Sequence, residues 1–221
     1  MSVKIVKGIL FNSKAQTLVN TINTVGVMGA GVALEFRLRY PEMYQRYKEL
    51  CKDRYIDIGK LWIYKSPQKW ILNFPTKKHW KFDSLPEYIE KGLEKFALTY
   101  KEKGIKSIAF PILGSSNGNI PEEESLKIMK KYLKKVNIPV EIYRFDPESR
   151  DELYDNFKKD LCKLDQDQLM IKLDIKKQYA LKLKDALNND VVKNFYNLKD
   201  FKGVGKSVME KVFNYIIKEY N

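Results

Sequence analysis

Hydrophobic and polar positions over the first two thirds of the chain fall into short apolar runs and longer runs of helical period, in alternation. Positions 3–6 alternate weakly with lysine and predict a short edge strand, broken by Gly8. Positions 16–22 predict a second, more buried strand. Gly26, Gly29 and Gly31 follow it, and then Val32, Ala33, Leu34 and Phe36 begin a helix that runs to about Tyr40. Pro41 is suited to a helix's first turn and opens the next one, with Tyr44, Tyr47, Leu50 and Cys51 at helical spacing. Positions 59–64 and 70–74 predict strands on either side of a Ser-Pro turn.

Ser84 and Glu87 have the spacing of a capping box. The helix they open would carry Leu85, Tyr88, Ile89, Leu93, Phe96 and Tyr100 on one face, and Gly104 would stop it. Positions 105–112 predict an apolar strand that ends in a second loop, LGSSNGN, at 113–119. Pro121 and Glu122, Glu123 and Glu124 start another helix; Lys130, Lys131, Lys134 and Lys135 end it, the order that suits a helix dipole. Positions 138–145 predict a last strand. Strands separated by helices imply an α/β sandwich over residues 1–146, with both loops outside the carboxyl ends of the strands.

From Pro147 the strand patterns vanish, and residues 147–221 predict a small all-helical module. Near its end, Phe201-Lys202-Gly203-Val204-Gly205-Lys206 precedes an amphipathic helix. This turn resembles a helix-hairpin-helix, whose backbone N–H groups and lysines hold a DNA phosphate without reading bases. The plainer reading is a helical turn with glycine stops.

The formal net charge of +13 over 221 residues points to polyanionic partners, nucleic acid first. A lysine-rich codon bias produces the same balance. Cys51 and Cys162 stand far apart and argue for a reducing compartment rather than a disulfide scaffold. With one histidine, His79, a histidine-based zinc site is nearly excluded. No leader pattern or membrane-length apolar run is legible, so a cytoplasmic protein without a membrane partner is expected.

The stretch NTINTVGVMGAG, 20–31, has the most chemistry. Strand, glycine loop and helix together present backbone N–H groups to a phosphate. Asn20 and Asn23 are expected at the strand end, where a sugar attached to that phosphate would meet them.

Four segments carry a family resemblance: GIL at 8–10, VNTINTVGVMGAGVALEFRLRYPEMYQRYKELC at 19–51, WILNFPTKKHWK at 70–81 and SIAFPILGSSNGN at 107–119. Together they resemble a macrodomain, and within macrodomains the DarG branch, related to terminal ADP-ribose glycohydrolases that use a catalytic lysine. The resemblance implies a three-layer α/β/α fold with a mixed central sheet over residues 1–146. It implies removal of ADP-ribose from thymidine bases of DNA, in an antitoxin role opposite a DarT-like transferase. ADP-ribose is then ligand and product; no cofactor or metal is implied. Asn23 would touch the distal ribose, and the backbone of Val27, Met28, Gly29, Ala30 and Gly31 would cradle the diphosphate. Leu113, Gly114, Ser115, Ser116, Asn117 and Gly118 would close over it from the other side. Gly8, Ile9, Thr76 and Phe145 complete the implied ligand site, Phe145 near the adenine, and Lys77 would act at the anomeric carbon.

The chemistry supports a lysine there. Cleaving an N-glycosidic bond develops oxocarbenium character at the sugar carbon, and a neutral amine can attack that carbon. This needs an amine whose pKa is lowered by burial or by neighbouring cations, and Lys78 adjoins it. A charged Lys77 would instead orient the sugar or protonate the leaving base; a solvated basic turn is the plain alternative. His79 and Trp80 read either as a stacking platform for a base or as packing under the loop.

Some positions depart from the family. Many macrodomains have an aspartate after the first glycine, toward the adenine amino group. Here it is Ile9, which leaves adenine selectivity to Asn12 or Asp146. The second loop holds serines and Asn119 where related enzymes have an aspartate, and Glu122 is the nearest carboxylate in sequence. The competing readings are a DNA ADP-ribosylglycohydrolase, a hydrolase of ADP-ribosyl carboxylate esters on proteins, a non-catalytic ADP-ribose-binding module, and a tail that silences a partner toxin.

Overall fold

The computed structural model describes residues 3–220 and divides into two compact units, one up to Phe145 and one from Asp146 on. The first is built on a six-stranded sheet of β1 (Val3–Gly8), β2 (Thr17–Asn23), β3 (Trp62–Lys65), β4 (Trp70–Lys77), β5 (Ile108–Pro111) and β6 (Val140–Phe145). Their order is β1-β6-β5-β2-β4-β3. All neighbours pair parallel except β3 with β4, which makes the sheet mixed.

Alternation along the strands decides which helices cover which face. Leu18, Ile22, Ile71 and Ala109 pack with Phe36, Met43 and Tyr47, from α1 (Gly31–Arg39) and α2 (Pro41–Lys52). Val19, Leu72, Phe74, Ile108 and Phe110 face the other way, against Ile89, Leu93, Phe96, Leu126 and Met129 of α3 (Pro86–Thr99) and α4 (Glu122–Leu133). Adjacent residues thus serve opposite layers, and the three-layer α/β/α expectation holds. β2, covered on both faces, is buried at every position but Thr21. Its polar residues Thr17, Asn20 and Asn23 are buried along with Leu18, Val19 and Ile22. Gly92 of α3 is required by packing: a Cβ there would overlap the Phe74 ring.

Several boundaries differ from the sequence reading. β4 runs through Pro75 to Lys77 rather than stopping at Phe74. β3 reaches only as far as Asn73, so β4 is an edge beyond it, where proline is tolerated. β5 is four residues long, and 105–107 are not strand; there the chain is held to Gln16, whose backbone N–H donates to Ser107 Oγ at 2.8 Å and whose Oε1 accepts from Lys106 N at 2.7 Å. The capping box does not form. Pro86 takes the first turn of α3 and Leu85 the cap position, while Ser84 is buried and donates its backbone N–H to the Gly118 carbonyl at 2.9 Å.

The second unit contains α5 (Glu152–Leu161), α6 (Gln166–Leu173), α7 (Lys177–Leu187), α8 (Phe195–Asp200) and α9 (Lys206–Tyr220). Asp165 and Gln168 close a capping box on α6. The GVG turn joins α8 to α9; Gly203 has φ +95° against the Lys182 side chain, and Val204 is buried. No helix among the described residues is long and apolar enough to cross a membrane.

Candidate active site

Because β1, β6, β5, β2 and β4 are parallel, their carboxyl ends share one edge of the sheet. In that row lie Gly8 and Phe145, which are register partners, then the loop after β5, the glycine loop after β2, and Lys77. From β6 to β4 is three strand spacings, roughly 14 Å at about 4.8 Å each. The ring of Phe145 is 52% exposed at one end of this row, and Lys77 stands at the other.

The glycine loop is shaped by Asn23. Its Oδ1 accepts from Val25 N (3.0 Å) and Val27 N (3.3 Å), and its Nδ2 donates to the Val27 carbonyl (2.5 Å). The buried Tyr47 hydroxyl donates to the Asn23 carbonyl at 2.7 Å and lies 3.1 Å from Oδ1. Burial, the largest cause, and the neighbouring Cys51 push the Tyr47 phenol well above its ordinary value, so it stays a donor. With the loop folded this way, the N–H groups of Met28, Gly29 and Ala30 have no partner among the described residues. Unpaired N–H groups beside the start of α1 are anion-binding donors.

The second loop is tied down at both ends. Ser125 Oγ donates to the Leu113 carbonyl (2.6 Å), and Ile120 N donates to the Gly114 carbonyl (3.0 Å). Gly114 has φ +68°, and a Cβ on Gly118 would overlap the Gly114 carbonyl. Asn119, at φ 60°, donates from Nδ2 to Asp83 at 2.6 Å. Ser116 and Asn117 form the exposed tip.

Asn117 is where the parts meet. Its side-chain nitrogen lies 2.8 Å from where a Cβ on Gly31 would stand, and its carbonyl accepts from Lys77 Nζ. One residue of the second loop therefore touches the first loop and the lysine together. The β2–β4 register shifts between Ile22 and Asn23, so that Asn23 pairs with Lys77.

Other positions singled out in the sequence fall elsewhere. Asn20 is fully buried and donates to Asn73 Oδ1 at 2.9 Å, so it faces the interior and not a sugar. The side chains of Thr76, Met28 and Leu113 are buried, and the Thr76 hydroxyl reaches the Ile22 carbonyl at 3.5 Å. Ile9 is buried, and Asp146 holds its own turn through Glu148 N and Ser149 Oγ. Glu122 is ion-paired with Arg144 at 2.5 Å. Asp83, tied to the second loop, and Tyr47, behind the first, were not singled out. The i+4 spacing of Tyr47 from Met43 marks a buried face and says nothing of the hydroxyl.

The basic balance is uneven. Residues 1–145 hold 26 of the 41 lysines and arginines and 14 of the 28 acids, while residues 146–221 hold 15 and 14. The positive field belongs to the unit with the loops, not to the helical module that holds the GVG turn.

A Macro domain model matches residues 19–129, half of the chain. A Thermus aquaticus protein named DNA ADP-ribosyl glycohydrolase is 38% identical over 148 residues, 65% of this chain; the chain spans 41% of that relative's length. The solved macrodomain of Thermus aquaticus DarG superposes with a TM-score of 0.62 at 38% identity, covering 65% of this chain and 98% of that one. Thermosipho africanus DarTG in complex with ADP-ribose superposes with a TM-score of 0.62 at 36% identity, over 68% of this chain and 43% of that one.

Proposed function

The chain belongs to the macrodomain family, and we propose that within it the protein is an ADP-ribosylglycohydrolase that frees ADP-ribose from thymidine in DNA. The observation that carries this reading is the meeting of Lys77, Asn117 and Gly31, which brings the glycine loop and the tip of the second loop to one amine. The names of the Thermus relative and of the ADP-ribose-bound Thermosipho structure support the ligand and the reaction class. A DNA ADP-ribosyl transferase of DarT type is the counterpart enzyme this reading implies.

In the mechanism the loops hold the diphosphate by backbone N–H groups, which fixes the sugar without a charged side chain. A neutral Lys77 amine attacks the anomeric carbon as the C–N bond to the base breaks, and the base departs with the bond's electron pair and takes up a proton. Water then displaces the amine and releases ADP-ribose, the amine leaving with its own electron pair. A charged Lys77 would do less, orienting the sugar and giving its proton to the base. The Asn117 carbonyl, which accepts from Nζ, positions the amine in either case. The test is release of ADP-ribose from an ADP-ribosylated thymidine oligonucleotide by the wild type and not by Lys77→Ala. Cleavage of glutamate-linked ADP-ribose alone would move the reaction to protein esters.

One observation favours a second reading, a module that binds ADP-ribose without turnover. Loop 113–119 holds no acid, Glu122 is engaged by Arg144, and Asp83 by Asn119. Tight ADP-ribose binding with no release from either substrate would select it.

A further inference from the structure

The two edges of the sheet differ in charge. At the carboxyl ends, where the candidate site lies, the stretches 24–30, 53–61, 78–85 and 112–121 hold four lysines and arginines and three aspartates. At the amino ends, the stretches 13–16, 65–70, 100–107 and 134–139 hold eight lysines and one acid, Glu102. These four stretches are knit into one surface. Lys69 Nζ donates to the Ser13 and Ala15 carbonyls at 2.9 and 2.6 Å, and Trp70 N to the Gln16 carbonyl at 3.0 Å. Gln16 is bonded to Lys106 and Ser107, and Asn137 N donates to the Tyr100 hydroxyl at 2.9 Å.

Lysines near helix ends ordinarily answer the helix dipole. Here α3 and α4 end, but each contributes only about half a negative charge. With Glu102 added, most of the eight cations stay unbalanced. Glu141, at the start of β6, is engaged by the Ser13 hydroxyl at 2.6 Å. Burial, and after it the charge of Lys14, lowers the Lys69 ammonium from its ordinary value in spite of Glu141. Lys65, Lys101, Lys103, Lys106, Lys134 and Lys135 form no ion pair among the described residues. None of the large apolar side chains exposed among the described residues lies in these stretches. The face therefore offers charge and nothing on which a base would stack.

We propose that this amino-end face is a second hold on DNA, which binds the phosphate backbone of a duplex away from the candidate active site. This rests on DNA as the substrate of the reaction proposed above. A duplex covers its bases and presents one negative charge per about 1.7 Å, which a rigid array of lysines answers without reading sequence. From β3 to β6 is four strand spacings, roughly 19 Å at about 4.8 Å each, the length of about five or six base pairs. Along β4, eight residues long, the two edges stand roughly 26 Å apart. A duplex is stiff over about 150 base pairs, so the segment held here is remote from the one being cleaved. Such a tether raises the effective concentration of modified sites on long DNA and not on short.

The experiment titrates the full chain into a fluorescein-labelled unmodified duplex and follows anisotropy as salt is raised. Lys101, Lys106, Lys134 and Lys135 are exposed, and all four are changed to glutamine in one variant. It is expected to lose at least about tenfold in affinity at low salt. Its log–log salt slope is expected to fall by about 3–4, at about 0.9 per phosphate contact. The fourfold arginine variant at the same positions is expected to bind like wild type. So is Lys52→Gln/Lys60→Gln/Lys91→Gln/Lys127→Gln, which removes the same charge elsewhere on the unit. An equal loss in both glutamine variants overturns the proposal, because net charge alone would then decide. Poly-L-glutamate held as tightly through the amino-end lysines also overturns it, and assigns the face to an acidic polypeptide. ADP-ribose affinity by calorimetry is expected to stay that of wild type; a parallel loss overturns the proposal, since the lysines would then only support the sheet. On a short modified oligonucleotide the amino-end variant is expected to match wild type. Its KM is expected to rise once that oligonucleotide is joined to a duplex of about 300 base pairs, roughly two persistence lengths; an unchanged KM there overturns the tether. If wild type holds the duplex through these lysines but releases no ADP-ribose, the face stands and the reaction assignment fails.

Discussion

Lys77 Nζ donates to the carbonyl of Asn117 across 40 residues of sequence, and through that bond the end of β4 is fastened to the tip of the second loop. Asn117 in turn lies against Gly31, so a change at that glycine reaches the lysine without touching it.

Gly31→Ala is the direct probe of this relay. At φ +55° a Cβ costs about 1 kcal/mol, and it would press the Asn117 amide from 2.8 Å. The expected result is a small fall in melting temperature and a roughly tenfold loss of ADP-ribose affinity, about 1.4 kcal/mol. Calorimetric titration checks it; unchanged affinity would mean that the two loops act independently.

Behind the first loop, Tyr47→Phe removes the donor to the Asn23 carbonyl and leaves that buried oxygen with one partner fewer, a loss of about 1–2 kcal/mol. The pH dependence has a definite sign. The folded-state pKa is raised above the ordinary value of 10, by burial first, so the unfolded state releases this proton before the folded state does. The stability it contributes is full below pH 10 and is lost as pH rises beyond it. Wild type is expected to lose stability above pH 10 more steeply than Tyr47→Phe in denaturant melts. Parallel curves would place the phenol elsewhere than in the core.

A third variant tests the packing that sets β4. In an exposed helix Gly→Ala gains up to about 1 kcal/mol. At Gly92 the added Cβ overlaps the Phe74 ring, and overpacking of this kind costs about 1–3 kcal/mol. The steric cost is expected to win, and Gly92→Ala to lower the melting temperature. A rise would show that α3 stands farther from the sheet.

The alternation of Leu18 with Val19 and of Ile71 with Leu72 made the layers legible in the sequence, because each residue of a pair serves a different helix layer. The first loop was legible because its glycines stand between a strand and a helix, a setting that leaves backbone N–H groups facing outward, whereas a glycine cluster alone is more often a plain turn. What failed to show was anything decided by a partner distant in sequence. Asn20 reads as a strand-end amide until Asn73 is set beside it, and Ser84 reads as a cap until the Gly118 carbonyl takes its N–H. Pro75 reads as a strand stop because the length of β3, which frees that edge, is not written at position 75. The aromatic turn after Lys77, where His79 meets Trp80 and Phe82, was half legible: His79 and Trp80 stood out by composition. Phe82 was passed over, since a lone apolar residue in a polar turn has no period to mark it. The basic balance was legible as a total, and its source in residues 1–145 becomes meaningful only once the unit boundary is known.

The helical module offers a test of its own core. Tyr154 is fully buried, its ring edge-on to Phe195 at 5.3 Å and 86°, yet its hydroxyl has no hydrogen-bond partner among the described residues. Burial, with Asp155 as a lesser cause, holds the phenol well above its ordinary value, as expected of an oxygen cut off from water. A buried hydroxyl without a partner costs about 1–3 kcal/mol, whereas the ring contacts with Phe195 and Phe157 survive replacement by phenylalanine. Two effects compete in Tyr154→Phe: a small void where the oxygen stood and relief of the unpaired group. The second is the larger, so the variant is expected to be more stable by about 1 kcal/mol, whereas Phe195→Ala, which empties the same cluster, should lose about 3–5 kcal/mol. Thermal melts of the full chain read both. A destabilised Tyr154→Phe would reveal a buried water that satisfies the hydroxyl, and the module's core would then be polar at its centre rather than dry.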